Sequence, residues 1–447
     1  MTAVSTIGVI GTGYVGLVSG TCFSEVGHQV VCCDIDEAKI AKLQKAEIPI
    51  YEPGLEELVK RNTTIKRLSF SYDIASVIRS SDVIFIAVGT PMSPSGEADL
   101  SYVKAAAAAI GQSIRDYTVV VTKSTVPVGT GRLVQEIIRS NLSDPSIPFD
   151  VASNPEFLRE GSAVHDCMNM ERAVIGATSD RAAEIIARLH EPFRTTIFKT
   201  SLESAEMIKY AANTFLAAKI SFINAIGNIC ERVGADVTEV AKGMGLDSRI
   251  GNKFLQAGIG YGGSCFPKDT HALKHIADVS GYDFKLLEAV IETNDKQRLL
   301  VIEKLEKAIG NLTDKKIAVL GLAFKPNTND VREAPSLTLI PKLMEKGARV
   351  QAYDPIAVEE ARRCLPDSVV YTQDLYDAVR DCDACVILTE WKEVVTMELG
   401  HVRELLRKPV IVDGRNCFAL ERMRQEGFEY YSIGRPEVLA PNAVLSV

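Results

Sequence analysis

The chain has no run of five or more basic residues, and its formal net charge is −8. Gripping nucleic acid or an anionic membrane by charge needs such a run, so neither is expected as a partner. No apolar stretch approaches the ~18 residues of a membrane-spanning helix. The N-terminus, Met1 to Gly11, lacks a charged region ahead of an apolar run and leads directly into a strand pattern, which argues against a secretory signal. Metal-ligand spacing is missing too, so no metal is expected. Six histidines are scattered, and the lone C-x-x-C, Cys382 with Cys385, has no second pair to complete a zinc ribbon. Ten cysteines lie within apolar segments of a large chain, the pattern of reduced thiols in the cytoplasm rather than of a disulfide scaffold. What remains is a globular composition, 46% hydrophobic and 24% charged, over 447 residues, enough for two or three domains.

The first half alternates short apolar strands with helical segments. Thr6 to Ile10 reads as a strand that enters Gly11-Thr12-Gly13-Tyr14-Val15-Gly16, and a helical stretch runs on to about Val26, where Gly27 stops it. A second strand, Gln29 to Cys33, ends in Asp34, 18 positions after Gly16. Strand, glycine turn, helix, strand and acid together make the dinucleotide fingerprint. Gly11, Gly13 and Gly16 admit a pyrophosphate, the helix N-terminus binds it, and Asp34 takes the ribose hydroxyls and repels a 2′-phosphate. NAD is therefore expected rather than NADP. Further strands at Asp82–Val88, Thr118–Thr122 and Phe149–Ala152 end in polar Gly/Pro clusters, where ligands sit in a doubly wound sheet. Those ends nominate Thr90, Thr125, Glu156 and Glu160, each of which also reads as a simple loop cap or a solvated acid.

From about Ser204 to Val233 the chain reads as a helix apolar on nearly every face, hence buried between domains or subunits. Lys209 and Asn213 stand four apart on one face, either snorkelling and locally satisfied or aimed at a substrate oxygen. Beyond it, Gly258 to Asp269 crowds four glycines and Pro267 around Cys265, with a helical pattern following. Cys265 is thus expected just ahead of a helix N-terminus, with Lys268 close by, a setting that lowers a thiol pKa. A small buried hydrophobe is the other reading of such a cysteine.

The last third repeats the strand–turn pattern, with strands at Lys315–Leu320, Ala348–Tyr353, Asp383–Leu388 and Pro409–Val412. Its turn, Gly321-Leu322-Ala323-Phe324-Lys325-Pro326, lacks the later glycines, so this unit is not expected to bind a dinucleotide in the same way. Lys325, Arg332 and Arg415 make its strand ends basic. They read either as solvated loop charges or as contacts for a second phosphate-bearing ligand. The fold class is α/β: two Rossmann-like doubly wound domains joined by a long central helix. The expected divisions are an NAD-binding domain over 1–200, a central helical dimerisation region over 201–300 and a C-terminal domain over 301–447.

These motifs occur in order with Gly89-Thr90-Pro91, Ser124-Thr125-Val126-Pro127, Ser153-Asn154-Pro155-Glu156-Phe157, Arg249-Ile250-Gly251-Asn252 and Gly262-Gly263-Ser264-Cys265-Phe266-Pro267-Lys268-Asp269. Over nearly its whole length the chain resembles the UDP-glucose/GDP-mannose family of nucleotide-sugar dehydrogenases. Phe266 and Arg249–Asn252 favour UDP-glucose as the substrate. The resemblance implies a four-electron, two-NAD oxidation of the sugar C6 alcohol to a carboxylate through a thiohemiacetal and a thioester on Cys265. It implies that Lys209 and Asn213 stabilise an oxyanion and that Asp269 holds a water or Lys209 in a proton relay. Glu156 becomes a candidate general base, and Thr125 orders a water. UDP-sugar contacts are implied at Glu156, Phe157, Leu158, Lys209, Asn213, Phe254, Gly258, Tyr261, Gly262, Phe324, Lys325 and Arg415. Arg249 would reach a neighbouring subunit's substrate, making a homodimer or larger homo-oligomer necessary. NAD contacts are implied at Gly11, Gly13, Tyr14, Val15, Gly16, Asp34, Lys39, Thr90, Thr125, Glu160, Lys268 and Arg332. A GDP-mannose dehydrogenase, a two-electron hydroxyacid dehydrogenase with a similar Lys/Asn pair, and a non-catalytic nucleotide-sugar sensor are the competing readings.

Overall fold

The computed structural model describes residues 6–93 and 96–439. Met1–Ser5, read above as part of a leader-free N-terminus, and the last eight residues of the 301–447 region lie outside the described residues. Two compact units emerge. The first holds the chain up to Ala212 together with His271–Ile276, and the second holds Asn213–Thr270 with the chain from Ala277 onward.

The first unit is built on an eight-stranded sheet in the order β3-β2-β1-β4-β5-β6-β7-β8. Its strands are β1 Thr6–Ile10, β2 Gln29–Cys33, β3 Leu68–Ser71, β4 Val83–Ile86, β5 Thr118–Thr122, β6 Phe149–Ser153, β7 Arg172–Ala177 and β8 Thr196–Thr200. β3 through β6 pair in parallel, β7 joins β6 antiparallel, and β8 runs parallel to β7. Val83 and Phe85 pack into one core layer and Ile84 and Ile86 into the other, as period-two side chains of a doubly covered sheet must. That is why these strands read as continuous apolar runs rather than as alternation. The order reverses direction at β1 and β4, so the ends of those strands open where a doubly wound sheet takes its ligand.

The second unit carries a six-stranded parallel sheet, β11-β10-β9-β12-β13-β14, from β9 Lys316–Leu320, β10 Arg349–Tyr353, β11 Val370–Thr372, β12 Ala384–Ile387, β13 Val410–Asp413 and β14 Glu429–Tyr431. The expected strands are all present with ends shifted by a residue or two. Five were not anticipated: β3, β7, β8, β11 and β14. Three are short, and β8 is half-exposed, so the patterns of those four were weak.

A helix of 32 residues, Leu202–Val233, runs from the first unit into the second. The helix, expected to be buried between domains or subunits, is covered on only part of its surface within the single chain. Tyr210, Ala217, Ile223 and Cys230 are buried, but Phe215, Phe222 and Ile229, seven residues apart, are 67%, 52% and 52% exposed in the single chain. Seven-residue spacing is nearly two helical turns, so these three form one stripe.

Candidate active site

The glycine turn in the first unit uses each glycine differently. Gly11 has φ 103°, and a Cβ there would lie 2.5 Å from the Ala87 carbonyl oxygen. A Cβ on Gly16 would lie 2.0 Å from the Gly11 carbonyl oxygen, so only hydrogen lets the helix Tyr14–Glu25 pack onto its own strand. Around Gly13, by contrast, a Cβ would meet nothing within 4 Å. Gly13 also sits at the helix N-cap with no side chain to offer the first N–H groups. An open face at a helix N-terminus suits a diphosphate. Asp34, at the end of β2, accepts hydrogen bonds from the Thr12 N–H (2.8 Å), the Thr12 hydroxyl (2.7 Å) and Lys39 Nζ (3.1 Å). Burial works to raise its pKa, but these bonds, the Asp36 N–H and the Lys39 charge hold it below the usual carboxylate range. A carboxylate fixed and ionised here is ready to accept from ribose hydroxyls.

Tyr14, inside the glycine motif, donates to Glu52, which in turn accepts from the Gly161 N–H at 2.7 Å. The motif is thereby tied to the segment carrying Glu160. Glu52 was not anticipated, because a lone acid before a Pro-Gly turn gives no sequence signal. At the ends of β4 and β5, the Thr90 hydroxyl donates to the Thr125 carbonyl at 2.8 Å, and the Ser124 hydroxyl to the Val88 carbonyl at 2.6 Å. These bonds fasten the two expected cofactor loops to each other.

Beyond β6 lies a buried ion pair. Lys209 Nζ is 2.9 Å from Glu156 Oε1, and both residues are buried. Burial opposes ionisation of Glu156, yet the Lys209 charge and hydrogen bond, the Leu158 N–H and the Lys123 charge hold its pKa below the ordinary value. Phe157 lies 5.5 Å from Lys209 Nζ and 4.1 Å from the Arg172 guanidinium, within cation–π range of both. Lys123, also buried and also unanticipated, donates to Asn154 Oδ1 at 2.9 Å. Burial lowers its pKa.

In the second unit, Cys265 immediately precedes the helix Phe266–Val279, and its carbonyl accepts the Asp269 N–H at 2.8 Å, an N-cap position. The helix begins at Phe266, one residue earlier than Pro267 had suggested. Asn213 Nδ2 donates to Asp269 Oδ2 at 2.6 Å, and Lys268 Nζ pairs with Asp269 Oδ1 at 2.6 Å. The glycine-rich loop ahead of Cys265 is held by helix side chains. Asn224 accepts from the Gly258 N–H (2.8 Å), and Gln297 donates to the Gly258 carbonyl (2.8 Å). Asn294 both accepts from the Tyr261 N–H (2.8 Å) and donates to its carbonyl (3.1 Å), while Arg298 donates to that carbonyl at 3.0 Å. Asn294, Gln297 and Arg298 lie on the helix Lys285–Ile309. Sequence reading missed them because an amide on a helix face has no spacing signature.

Phe254 adopts φ 64°, rare for a bulky residue, and its ring lies 6.2 Å from that of Phe266, which meets Tyr261 edge-on at 5.9 Å. Phe324 crowds Gly263, where a Cβ would come within 2.7 Å of its ring. Lys325 Nζ lies 5.3 Å from the Phe324 ring. Arg415 donates to the Leu388 (2.7 Å) and Phe324 (2.8 Å) carbonyls, so part of its guanidinium orders this loop. Arg332 is paired in fork geometry with Asp330, and Arg249 with Asp247, the latter largely exposed. The second turn differs from the first for a further reason than its bulk. Asp354 accepts from the Leu322 and Ala323 N–H groups and from the Trp391 indole, and the next helix starts only at Pro335. No helix N-terminus stands at this turn.

Three family models match the chain: the UDP-glucose/GDP-mannose dehydrogenase family NAD binding domain over residues 5–194, its central domain over 203–296 and its UDP binding domain over 318–420. UDP-glucose 6-dehydrogenase TuaD of Bacillus subtilis is 65% identical over 432 residues, 97% of this chain and 94% of that protein. A solved UDP-glucose dehydrogenase from Pyrobaculum islandicum is 39% identical with a TM-score of 0.91, covering 97% of this chain and 99% of that one. A ternary complex of GDP-mannose dehydrogenase from Pseudomonas aeruginosa is 32% identical with a TM-score of 0.54, covering 91% and 96%.

Proposed function

The chain belongs to the UDP-glucose/GDP-mannose dehydrogenase family, and from that premise we propose that it is an NAD-dependent UDP-glucose 6-dehydrogenase that oxidises the C6 alcohol to a carboxylate by way of Cys265. UDP-glucose is favoured over GDP-mannose by the 65% identity to a UDP-glucose enzyme and by TM-scores of 0.91 against 0.54 for the two kinds of solved relative. The observation that carries the reading is Cys265 at a helix N-cap, with Asp269 one turn on gripping Asn213. The division into an NAD-binding domain (1–200), a central helical region (201–300) and a UDP-sugar-binding domain (301–447) belongs to the same proposal and is supported by the ranges of the three family matches.

Gly11, Gly13, Gly16, Asp34, Lys39, Thr90 and Thr125 would hold NAD, with Tyr14, Val15, Glu160, Lys268 and Arg332 completing its contacts. Bound there, NAD supplies a hydride acceptor in each of two rounds. The C6 hydroxyl loses its proton to a water held by Asp269. Lys209 and the Asn213 amide stabilise the oxygen anion as it forms. Departure of the first hydride from C6 leaves the aldehyde, to whose carbon the Cys265 thiolate adds, making a C–S bond and a thiohemiacetal that cannot diffuse away. Loss of a second hydride from that carbon leaves a thioester. Glu156, kept ionised, takes a proton from a water ordered by Thr125, and that water cleaves the C–S bond to give carboxylate and free thiol. Phe157, Leu158, Phe254, Gly258, Tyr261, Gly262, Phe324, Lys325 and Arg415 would bind the uridine diphosphate sugar.

A homodimer is part of the proposal. The stripe of Phe215, Phe222 and Ile229 is too apolar to be left to water, and a second copy of the same helix is its natural cover. Exposed Arg249 would then serve the partner's substrate. A cytoplasmic location is supported by the burial of Cys22, Cys32, Cys33, Cys167 and Cys230 as thiols in apolar surroundings. The deciding measurement is the yield of NADH per UDP-glucose consumed, expected to be two. A yield of one, or full turnover after Cys265→Ala, would sink the thioester route. Faster turnover of GDP-mannose at equal concentration would reassign the substrate.

A further inference from the structure

Glu206 is a buried carboxyl that the mechanism above does not use. It lies three residues before Lys209 on the long helix, so the two project from neighbouring positions of one face. Its Oε2 accepts the Gly129 N–H at 2.7 Å, and its Oε1 accepts the Gly131 N–H at 2.7 Å. Those N–H groups open the helix Thr130–Ser140, whose N-cap, Gly129, has φ 95° and no side chain. Gly131 fits tightly on this side as well. A Cβ on Gly131 would come within 3.2 Å of Glu206 Oε1 and 3.2 Å of Leu202. The segment just ahead of this helix is Ser124–Val128, whose Thr125 carbonyl takes the Thr90 hydroxyl. Glu206 therefore pins one end of that segment, and Thr90 pins the other.

We propose that Glu206 is a positioning residue: from the helix that carries Lys209, it holds the 124–129 loop in the shape that receives NAD. The inference rests on the reading of Thr90 and Thr125 as NAD contacts. Two bonds from one carboxylate to N–H groups two residues apart define both the height and the tilt of the loop's exit. The helix N-terminus favours a negative charge there. Burial acts the other way and pushes the Glu206 pKa up to about 7, with Glu203 raising it further and the two N–H groups and Arg132 lowering it. Protonation turns one acceptor oxygen into a hydroxyl, and one of the two N–H groups then loses its partner. The grip on the loop should weaken as pH falls through neutrality.

The test is calorimetric titration of the full-length protein with NAD and, separately, with UDP, from pH 6 to 8.5, on wild type, Glu206→Ala and Glu206→Gln. Loss of a hydrogen bond to a charged group is worth about tenfold in binding. Glu206→Ala is expected to weaken NAD by at least about that factor and to leave UDP unchanged. Glu206→Gln, which keeps one acceptor and nearly the same shape, should bind NAD as wild type does at the acid end, with no pH dependence. Should the alanine variant fail to fold, the glutamine variant carries the test alone. Wild-type NAD affinity and pH dependence retained in a folded Glu206→Gln would overturn the proposal, and so would equal weakening of NAD and UDP. A wild-type protein that bound no NAD would instead sink the cofactor reading on which it rests.

Discussion

Lys209 Nζ and Glu156 Oε1 stand 2.9 Å apart with both side chains about 5% exposed or less, so each charge leans on the other, and Glu156 also on the Leu158 N–H and the Lys123 charge. Breaking such a pair from one side typically costs about 3–5 kcal/mol, whereas replacing both partners is much milder. Lys209→Met alone should lower thermal stability sharply, and Lys209→Met with Glu156→Gln should recover most of it. Denaturant unfolding of the two single variants and the double variant closes the cycle; additive losses would show that the pair is not coupled. The pH sign follows from the depressed Glu156 pKa. Its stabilisation is complete above the unfolded value of 4.5 and fades as pH falls through the lower folded value. Below about pH 4.5 the gap between wild type and the double variant should therefore narrow.

Gly13 and Gly16 separate binding from folding. Since a Cβ on Gly13 meets nothing within 4 Å, Gly13→Ala should melt within a degree or two of wild type while losing NAD affinity by about tenfold or more. Gly16→Ala, whose Cβ would lie 2.0 Å from a carbonyl oxygen, should instead lose stability outright. Melting curves and NAD titrations of the two read this directly. Unchanged NAD binding in Gly13→Ala would remove the turn from the cofactor site.

The ten thiols divide by reactivity. Burial pushes Cys385 well above the ordinary range and Cys382 up to about 11, and Cys417, though partly accessible, is raised far more by burial beside Asp413 and Glu390. Iodoacetamide at neutral pH should label half-buried Cys265 and exposed Cys364 and spare those three. Inactivation should track Cys265 alone in peptide mapping. Activity surviving complete Cys265 alkylation would end its candidacy as the nucleophile.

Asn294 is expected to matter without touching ligand. Its two bonds to Tyr261 mimic a backbone ladder on the far half of the 258–262 loop. Asn294→Ala should leave the buried Tyr261 N–H unpaired, costing about 1–3 kcal/mol, while Arg298 still donates to the Tyr261 carbonyl, and should weaken UDP more than NAD. Equal affinities in the variant would show that the loop holds its shape unaided.

The dinucleotide turn was legible in the sequence because its parts are local: strand, glycines, helix and Asp34 all fall within 34 residues and each has a positional signature. Lys209, Asn213 and Cys265 were legible because a lysine on an apolar helix and a cysteine among glycines are chemically out of place. Glu52, Lys123, Glu206 and Asn294 were not. Each is an ordinary polar residue whose meaning arises only from a partner 30 or more positions away. The long helix shows the complementary difficulty. Apolar residues around its whole circumference said that the helix is covered by domains or subunits, but not that Phe215, Phe222 and Ile229 are the ones the single chain leaves exposed.

The backbone of the glycine-rich loop is answered by four side chains, Asn224, Asn294, Gln297 and Arg298, as well as by the Gly414 carbonyl beyond β13, which takes the Ile259 N–H. Its shape is thus stored partly at a distance, in side chains of the helices Leu202–Val233 and Lys285–Ile309. An engineer seeking a different sugar nucleotide can exchange the loop's own side chains and keep the conformation, so long as those four stay. Transplanting Gly258–Asp269 alone into another scaffold would carry the cysteine across and leave its geometry behind.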